Sequence, residues 1–172
     1  TYASGESPAI PRLAMQYGLR VTQGAWLDRR LENNDLELRS LIGLVRAFPN
    51  IDRVVVGNEA VLRSDLTAEQ LIPYLDRARE ALDVPVSTAE PWHVWLKYPQ
   101  LAAHVDYIAV HLLPYWEGIP RRTALDEVMK RYRELQARFP GKPIVIGEVG
   151  WPSNGDRYKY AERHPERTAI EW

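Results

Sequence analysis

The sequence has no cysteine and no excess of charge of either sign, and each absence removes a class of function. Without cysteine among its 172 residues, the chain has no disulfides or thiolate metal sites, although the compartment stays open. Lys and Arg number 22 against 23 Asp and Glu, with no basic or acidic block, so we expect neither nucleic acid nor an anionic membrane as a partner. No apolar run approaches the roughly 18 residues of a transmembrane helix, and nothing after Thr1 resembles a signal peptide.

Hydrophobic residues make up 45% of the chain, which is enough for one soluble domain with a buried core. Predicted strands cover residues 19–27, 51–59, 84–90 and 107–111, together with the apolar run that begins at Ile144. Helical patterns alternate with these strands. The alternation predicts a parallel α/β sheet with right-handed crossovers, arranged either as an open doubly wound sheet or as a (β/α) barrel.

Local signals predict where the helices begin. The proline- and aromatic-rich residues 91–99 predict irregular structure, and the polar residues 156–172 are left unassigned as a tail or loop. Helix starts are expected at Ser7-Pro8, at the cap signal of residues 33–35, at a Thr67–Gln70 capping box and at Thr123 with Asp126.

Two segments of the chain echo each other. In each, a helix ends at Phe-Pro, a buried strand follows, and a glycine precedes a glutamate at the carboxyl end of that strand. The glutamates are Glu59, after Gly57-Asn58, and Glu148, after Gly147. Barrels and open parallel sheets both place ligand chemistry at the carboxyl ends of their strands. We therefore expect both carboxylates to face one pocket.

Glycosidases commonly use two neighbouring carboxyl groups as their catalytic residues. A retaining enzyme keeps one protonated to assist the leaving oxygen and uses the other as nucleophile, with the two roughly 5–5.5 Å apart. Their mutual repulsion helps to separate the two pKa values. Glu59 is the candidate acid/base and Glu148 the candidate nucleophile. The amide of Asn58 is suited to hold a sugar hydroxyl, and the Trp151 indole offers a face on which a pyranose ring can stack.

The segments 56–59 and 146–155 resemble the acid/base and nucleophile signatures of glycoside hydrolase family 17, the β-1,3-glucanases and glucanosyltransferases. The sequence is more similar to the bacterial members of the family than to the plant ones. The resemblance implies a (β/α)8 TIM barrel with Glu59 after strand four and Glu148 after strand seven. Tyr2 is similar to the tyrosine that follows the second barrel strand of the family. Tyr115, in the loop after the predicted strand 107–111, and His111 are further substrate-binding candidates.

The same resemblance implies that residues 1–172 form a single but incomplete barrel. The first strand and helix, most of the second strand, and the last strand and helix are not recognisable, so we expect a larger multidomain protein that is secreted, periplasmic or membrane-attached. Leu113 departs from the tyrosine of plant members, which leaves His111 or Tyr115 to support Glu148.

Structural interpretations compete with several of these assignments. For Glu90, a structural role as a solvated or salt-bridged loop residue and a substrate contact carry equal weight. His111 lies on an apolar strand, where a hydrogen-bonded core histidine is common, and with His93 and His104 it has no metal-ligand spacing. Neither a metal nor a cofactor is expected. The functional alternatives are a non-catalytic glucan-binding or scaffold fragment and a related β-glycosidase of other linkage specificity.

Overall fold

Strands and helices alternate along residues 9–151, which are the residues described by the structure, a computed structural model. The α-helices and a 3₁₀ segment (Pro99–His104) separate five strands. The strands are β1 (Val21–Ala25), β2 (Ile51–Asn58), β3 (Val86–Pro91), β4 (Ile108–Leu112) and β5 (Ile144–Val149). The helices are α1 (Ala9–Gln16), α2 (Leu31–Ala47), α3 (Ala68–Ala81), α4 (Trp92–Lys97) and α5 (Arg121–Arg138).

The sheet settles which of the two predicted architectures applies. All its neighbouring strands are parallel, and their order is β1-β2-β3-β4-β5. A doubly wound sheet reverses its strand order at a switch point, whereas a barrel adds each strand next to the previous one. The sequential order is therefore that of a (β/α) barrel segment.

The two faces of the sheet are buried to different extents. The helix-side face carries the main core, in which Val54, Val56, Leu71 and Leu75 are completely buried. The concave face has a small cluster centred on Val55, Ala89, Tyr107 and Ala109. Strands β2 to β4 are largely buried, but β5 is not: Ile146 is 39% and Val149 56% exposed. In the described region, the concave side is open beside β5.

Two of the predicted caps differ in the structure. The Thr67–Gln70 capping box is present as predicted. Asn34, however, lies inside α2, where its side chain accepts from the Asp28 amide at 2.9 Å and donates to the Asp28 carbonyl at 2.8 Å. Its hydrogen bonds thus bind a preceding loop instead of starting the helix. Likewise α5 starts after Pro120, and the Thr123 hydroxyl donates to the Pro120 carbonyl at 3.2 Å instead of capping.

The segment predicted to be irregular forms regular structure. Pro91 occupies the N-cap of α4 with an extended backbone, a position where the missing amide hydrogen costs nothing. Trp95 is completely buried and donates from Nε1 to the Ala109 carbonyl at 3.0 Å, so it packs this helix on the sheet. Within residues 9–151, no helix is long and apolar enough to cross a membrane.

Candidate active site

Both candidate glutamates lie at the carboxyl ends of their strands. Glu59 directly follows β2, and its amide donates to the Ala89 carbonyl of β3 at 2.7 Å. Glu148 is the next-to-last residue of β5 and pairs in register with His111 of β4. Parallel strands bring these ends to one edge of the sheet. The structure thus places Glu59, His111 and Glu148 together.

An extra residue precedes each glutamate in the pairing of its strand. Between β2 and β3, Val55 pairs with Ser87 but Asn58 with Ala89, so β2 has one residue more in this interval, which contains Gly57 at φ +83°. Between β4 and β5, the extra residue is Gly147. Such bulges re-aim the side chains that follow them and are common beside active sites. The glycines of the internal echo thus have the same structural role in both segments.

One imidazole ring links the two carboxylates. His111 Nδ1 lies 3.0 Å from Glu59 Oε1, and its Nε2 lies 3.6 Å from Glu148 Oε1. The His111 side chain is buried, whereas that of Glu148 is 41% exposed. Because both carboxylates contact the same small ring, these oxygens are less than about 9.5 Å apart, which is within the range that glycosidase carboxyl pairs span.

The electrostatics of Glu59 differ from the expectation for a resting general acid. The hydrogen bond with His111 lowers the pKa of the Glu59 carboxyl, and burial opposes this effect without cancelling it. Electrostatic interactions with His111, Arg63 and His93 lower the pKa of Glu59 further. In the free site, the carboxyl that was expected to be kept protonated therefore favours its ionised form.

Arg63, which sequence analysis missed, holds the turn that carries Glu59. Its guanidinium donates to the carbonyls of Asn58 and Leu27 and lies 4.4 Å from the ring centre of Trp26. These contacts tie the ends of β1 and β2 to the same side chain. Only its position four residues after Glu59 could have drawn attention to it, because its partners are distant in sequence.

The glutamates open onto a cleft of about 520 Å³. His93, which was rejected only as a metal ligand, and Leu62 line this cleft although neither was a predicted site residue. The described residues contain no cluster of three or more groups able to hold a metal ion. The cleft lining comprises Glu59, Leu62, Pro91, His93, His111, Leu113, Trp116, Glu117 and Glu148.

Aromatic rings gather beside this cleft. The rings of Tyr115 and Trp151 are nearly perpendicular, with their centres 5.4 Å apart, and the ring centre of Trp116 lies 5.3 Å from that of Tyr115. Trp92 plays a different part, since its Nε1 donates to Glu117 at 2.7 Å and Arg131 lies 3.8 Å from its ring centre. The structure thus brings Tyr115 and Trp151 together and uses Trp92 for packing.

The remaining predicted residues have different positions. Asn58 is buried beside Glu59, and its Oδ1 has no hydrogen-bond partner among the described residues. Tyr2 lies outside the described residues. Glu90 does not reach the cleft: it is 0% exposed and accepts hydrogen bonds from the Val61 and Leu62 amides. Glu90 is therefore neither the predicted substrate contact nor the solvated or salt-bridged residue of the alternative, because it is buried and bound to backbone amides.

The geometry agrees with comparisons to known proteins. The profile of the BtgE/BtgC glycoside hydrolase domain matches residues 1–172. The chain belongs to this family. Two curated relatives are each 25% identical to this chain. The match to the glucan 1,3-beta-glucosidase BGL2 of Candida albicans covers 100% of this chain and 64% of that protein. The match to the glucan 1,3-beta-glucosidase of Schizosaccharomyces pombe covers 94% of this chain and 57% of that protein.

Solved structures confirm the fold of this BtgE/BtgC domain. The glycoside hydrolase family 17 beta-1,3-glucanosyltransferase of Rhizomucor miehei is 28% identical and superposes with a TM-score of 0.78 over 87% of this chain and 57% of that one. Its active-site mutant in complex with laminaritriose gives 0.77. The resemblance to family 17 and the partial (β/α)8 barrel are thus confirmed.

The comparisons also bear on two narrower expectations about the domain. The chain spans about 57–64% of the length of the relatives named above. All of these relatives are fungal, so they do not bear out the expectation that the sequence is closest to bacterial members of the family.

Proposed function

We propose that the complete protein is a retaining glycoside hydrolase or transglycosylase that acts on β-1,3-linked glucans. The observation that carries this proposal is the pair Glu59 and Glu148, held on either side of His111 at an open cleft. Support also comes from the relatives, which are named as glucan 1,3-beta-glucosidases and as a beta-1,3-glucanosyltransferase seen with laminaritriose.

The proposed reaction is a double displacement. A Glu148 oxygen attacks the anomeric carbon, the glycosidic C–O bond breaks, and the leaving oxygen takes a proton from Glu59. Glu59, now a carboxylate, then removes a proton from water or from a sugar hydroxyl. The resulting oxygen displaces Glu148 from the anomeric carbon and restores the original configuration. Water gives hydrolysis, and a sugar hydroxyl gives transfer.

Substrate binding accounts for how a carboxyl that is ionised in the free site can serve as the acid. Glu59 Oε1 lies within hydrogen-bond distance of His111 Nδ1. A sugar that fills the cleft removes water from Glu59, and the loss of solvation favours the neutral carboxyl. Substrate binding thereby favours the protonated Glu59 that the first step needs. Hydrogen bonds of this kind commonly tighten only in the substrate complex.

Side chains near the pair supply contacts to the sugar. The Oδ1 of Asn58, which has no hydrogen-bond partner within residues 9–151, can accept from a hydroxyl beside the reacting carbon. The perpendicular rings of Tyr115 and Trp151 form a corner against which the apolar face of a pyranose can pack. Tyr2 remains a proposed contact by its resemblance alone.

The test uses the full-length protein and defined β-1,3-gluco-oligosaccharides. We expect Glu148→Gln to abolish turnover and Glu59→Gln to lower kcat by about 10²- to 10⁴-fold, the usual contribution of general acid–base catalysis. Glu80→Gln, at an exposed position of α3, is the matched control. Wild-type rates in Glu148→Gln, or inversion of the anomeric configuration by NMR, would refute the mechanism.

The same assay separates the alternatives. Products longer than the input reveal transfer, whereas shorter products alone reveal hydrolysis. Binding in a calorimeter without turnover would instead favour a non-catalytic glucan-binding role, and cleavage of another linkage only would favour a different β-glycosidase specificity. A polysaccharide substrate supports a secreted, periplasmic or membrane-attached location for the complete protein, which stays a proposal.

A further inference from the structure

Glu90 is a buried acid that the proposed mechanism does not use. It is the next-to-last residue of β3, and no part of it is exposed. Residues an even number of positions apart in a strand share a face, so Glu90 lies on the same face of β3 as Val86, which belongs to the helix-side core. The side chain therefore points away from the concave side of the sheet, behind the wall of the cleft. A carboxyl in such a position needs hydrogen-bond partners.

Its partners are the amides of the loop that follows Glu59. Oε1 accepts from the Val61 amide at 2.8 Å, and Oε2 accepts from the Leu62 amide at 3.2 Å. Val61 is buried, whereas Leu62 reaches through to line the cleft. Both oxygens can accept whether or not the carboxyl carries a proton, since a carboxylic acid keeps lone pairs on each. One side chain thus binds two consecutive amides of the cleft wall.

Glu59 itself has a backbone conformation that needs such support. Its φ is +53°, in the left-handed region that residues other than glycine seldom adopt. The Glu59 amide donates to the carbonyl of Ala89, the residue directly before Glu90. The Val61 and Leu62 amides, which donate to the Glu90 side chain, are the next contacts that attach the loop to β3. The loop is therefore joined to β3 on both sides of the strained residue.

We propose that Glu90 is a positioning residue that holds the backbone of Glu59 in its left-handed conformation and so keeps the acid/base carboxyl aimed into the cleft. The role rests on the proposed function for its catalytic consequence but not for its structural one. Glu90 contacts neither substrate nor reacting atoms. Burial, opposed by the two amide hydrogen bonds, raises its pKa to about 7, with a contribution from the negative charge of Glu59.

The first test is independent of any substrate. Glu90→Gln keeps the shape but replaces one acceptor oxygen by an NH₂ group, which cannot accept from an amide. In the full-length protein we expect hydrogen–deuterium exchange of the amide that loses its acceptor, Val61 or Leu62, to accelerate by about 10- to 100-fold, with wild-type exchange in Glu80→Gln. Unchanged exchange of these two amides would overturn the proposal.

The second test asks whether the catalytic acid is affected. An aryl β-glucoside with a dinitrophenyl leaving group needs no proton donor for its first step, whereas a gluco-oligosaccharide does. We expect Glu90→Gln to lower kcat/KM for the oligosaccharide by about 10- to 100-fold and to change that for the aryl glucoside little. Equal losses on both substrates would reduce Glu90 to a merely structural residue.

Two further points keep the outcomes distinct. If Glu90→Gln does not fold, Glu90→Asp retains the carboxyl group but is one methylene too short to reach both amides, and the same exchange and leaving-group differences are expected. If the wild type cleaves neither substrate, the proposed function fails, and the exchange measurement alone still decides whether Glu90 holds the loop.

Discussion

Gly147→Ala tests whether the His111 ring fixes the relative positions of the Glu59 and Glu148 carboxylates. A Cβ at residue 147 would lie 3.2 Å from both Cδ2 and Nε2 of His111, which is closer than ordinary van der Waals contact. The ring is buried and bound to Glu59 through its other nitrogen. It can yield to the new methyl group only by changing its distance to Glu59 or to Glu148.

The expected size of the effect follows from this contact. Adding a methyl group to a packed site costs about 1–3 kcal/mol. If that strain acts on the aligned carboxylates, kcat/KM falls by about 5- to 150-fold. The loss should appear in kcat more than in KM, since the new methyl group meets the His111 ring between the two carboxylates and not Tyr115 or Trp151, the proposed sugar contacts.

The assay is steady-state cleavage of a β-1,3-gluco-oligosaccharide by the full-length protein, with thermal unfolding measured in parallel. Gly150→Ala is the matched control, because a Cβ there meets nothing within 4 Å among the described residues. A wild-type kcat in Gly147→Ala would show that His111 does not align the pair. An equal loss in Gly150→Ala would show that the backbone of the segment, and not the ring, is responsible.

Three predictions concern stability. Because burial raises the pKa of Glu90 from its ordinary 4.5 to about 7, the unfolded chain releases this proton at lower pH than the folded one. As pH rises from 4 to 8, the free energy of unfolding of the wild type, measured with denaturant, should therefore fall by up to about 3 kcal/mol relative to that of Glu90→Gln. A difference between the two proteins that does not change with pH would refute the raised pKa of Glu90. Thr67→Ala removes a capping box and should cost about 1 kcal/mol in the same assay, whereas Thr123→Ala, which removes no cap, should cost less; equal losses would contradict this. Gly43→Ala, inside α2 with open space around it, should raise the thermal midpoint by an amount equivalent to about 0.5–1 kcal/mol, and a lower midpoint would contradict it.

The fold was predictable wherever burial and local chemistry agreed. The run Val54-Val55-Val56 predicted a strand buried on both faces, and the Thr67–Gln70 spacing predicted a helix start, because each signal is complete within a few residues. Asn34 and Thr123 carry the same kind of capping signal, yet their side chains bind Asp28 and Pro120 instead. A capping residue does not reveal which of several nearby backbone groups it will bind.

The candidate site was predictable in its acids but not in their surroundings. Glu59 and Glu148 each end an apolar strand after a glycine, which is visible along the sequence. The role of Glu90 depends on which face of β3 it occupies, and that face is known only once the sheet has packed Val86, on the same face, into the helix-side core. Arg63 was missed because one of its partners, the Leu27 carbonyl, is 36 residues away from it in sequence. That contact exists only once the sheet has formed.

The glycine bulge in β5 means that a change of residue count and a change of carboxylate face need not go together. Residues two apart in a regular strand share a face, so without a bulge Glu148 would share the face of Ile146, which pairs with Val110 of the main core. The extra Gly147 lets Glu148 pair with His111 instead. A relative without Gly147 would place its glutamate directly after Ile146, again opposite His111 and on the same face, although with a different aim. A one-residue gap at this position of an alignment is therefore compatible with a carboxylate that faces the cleft.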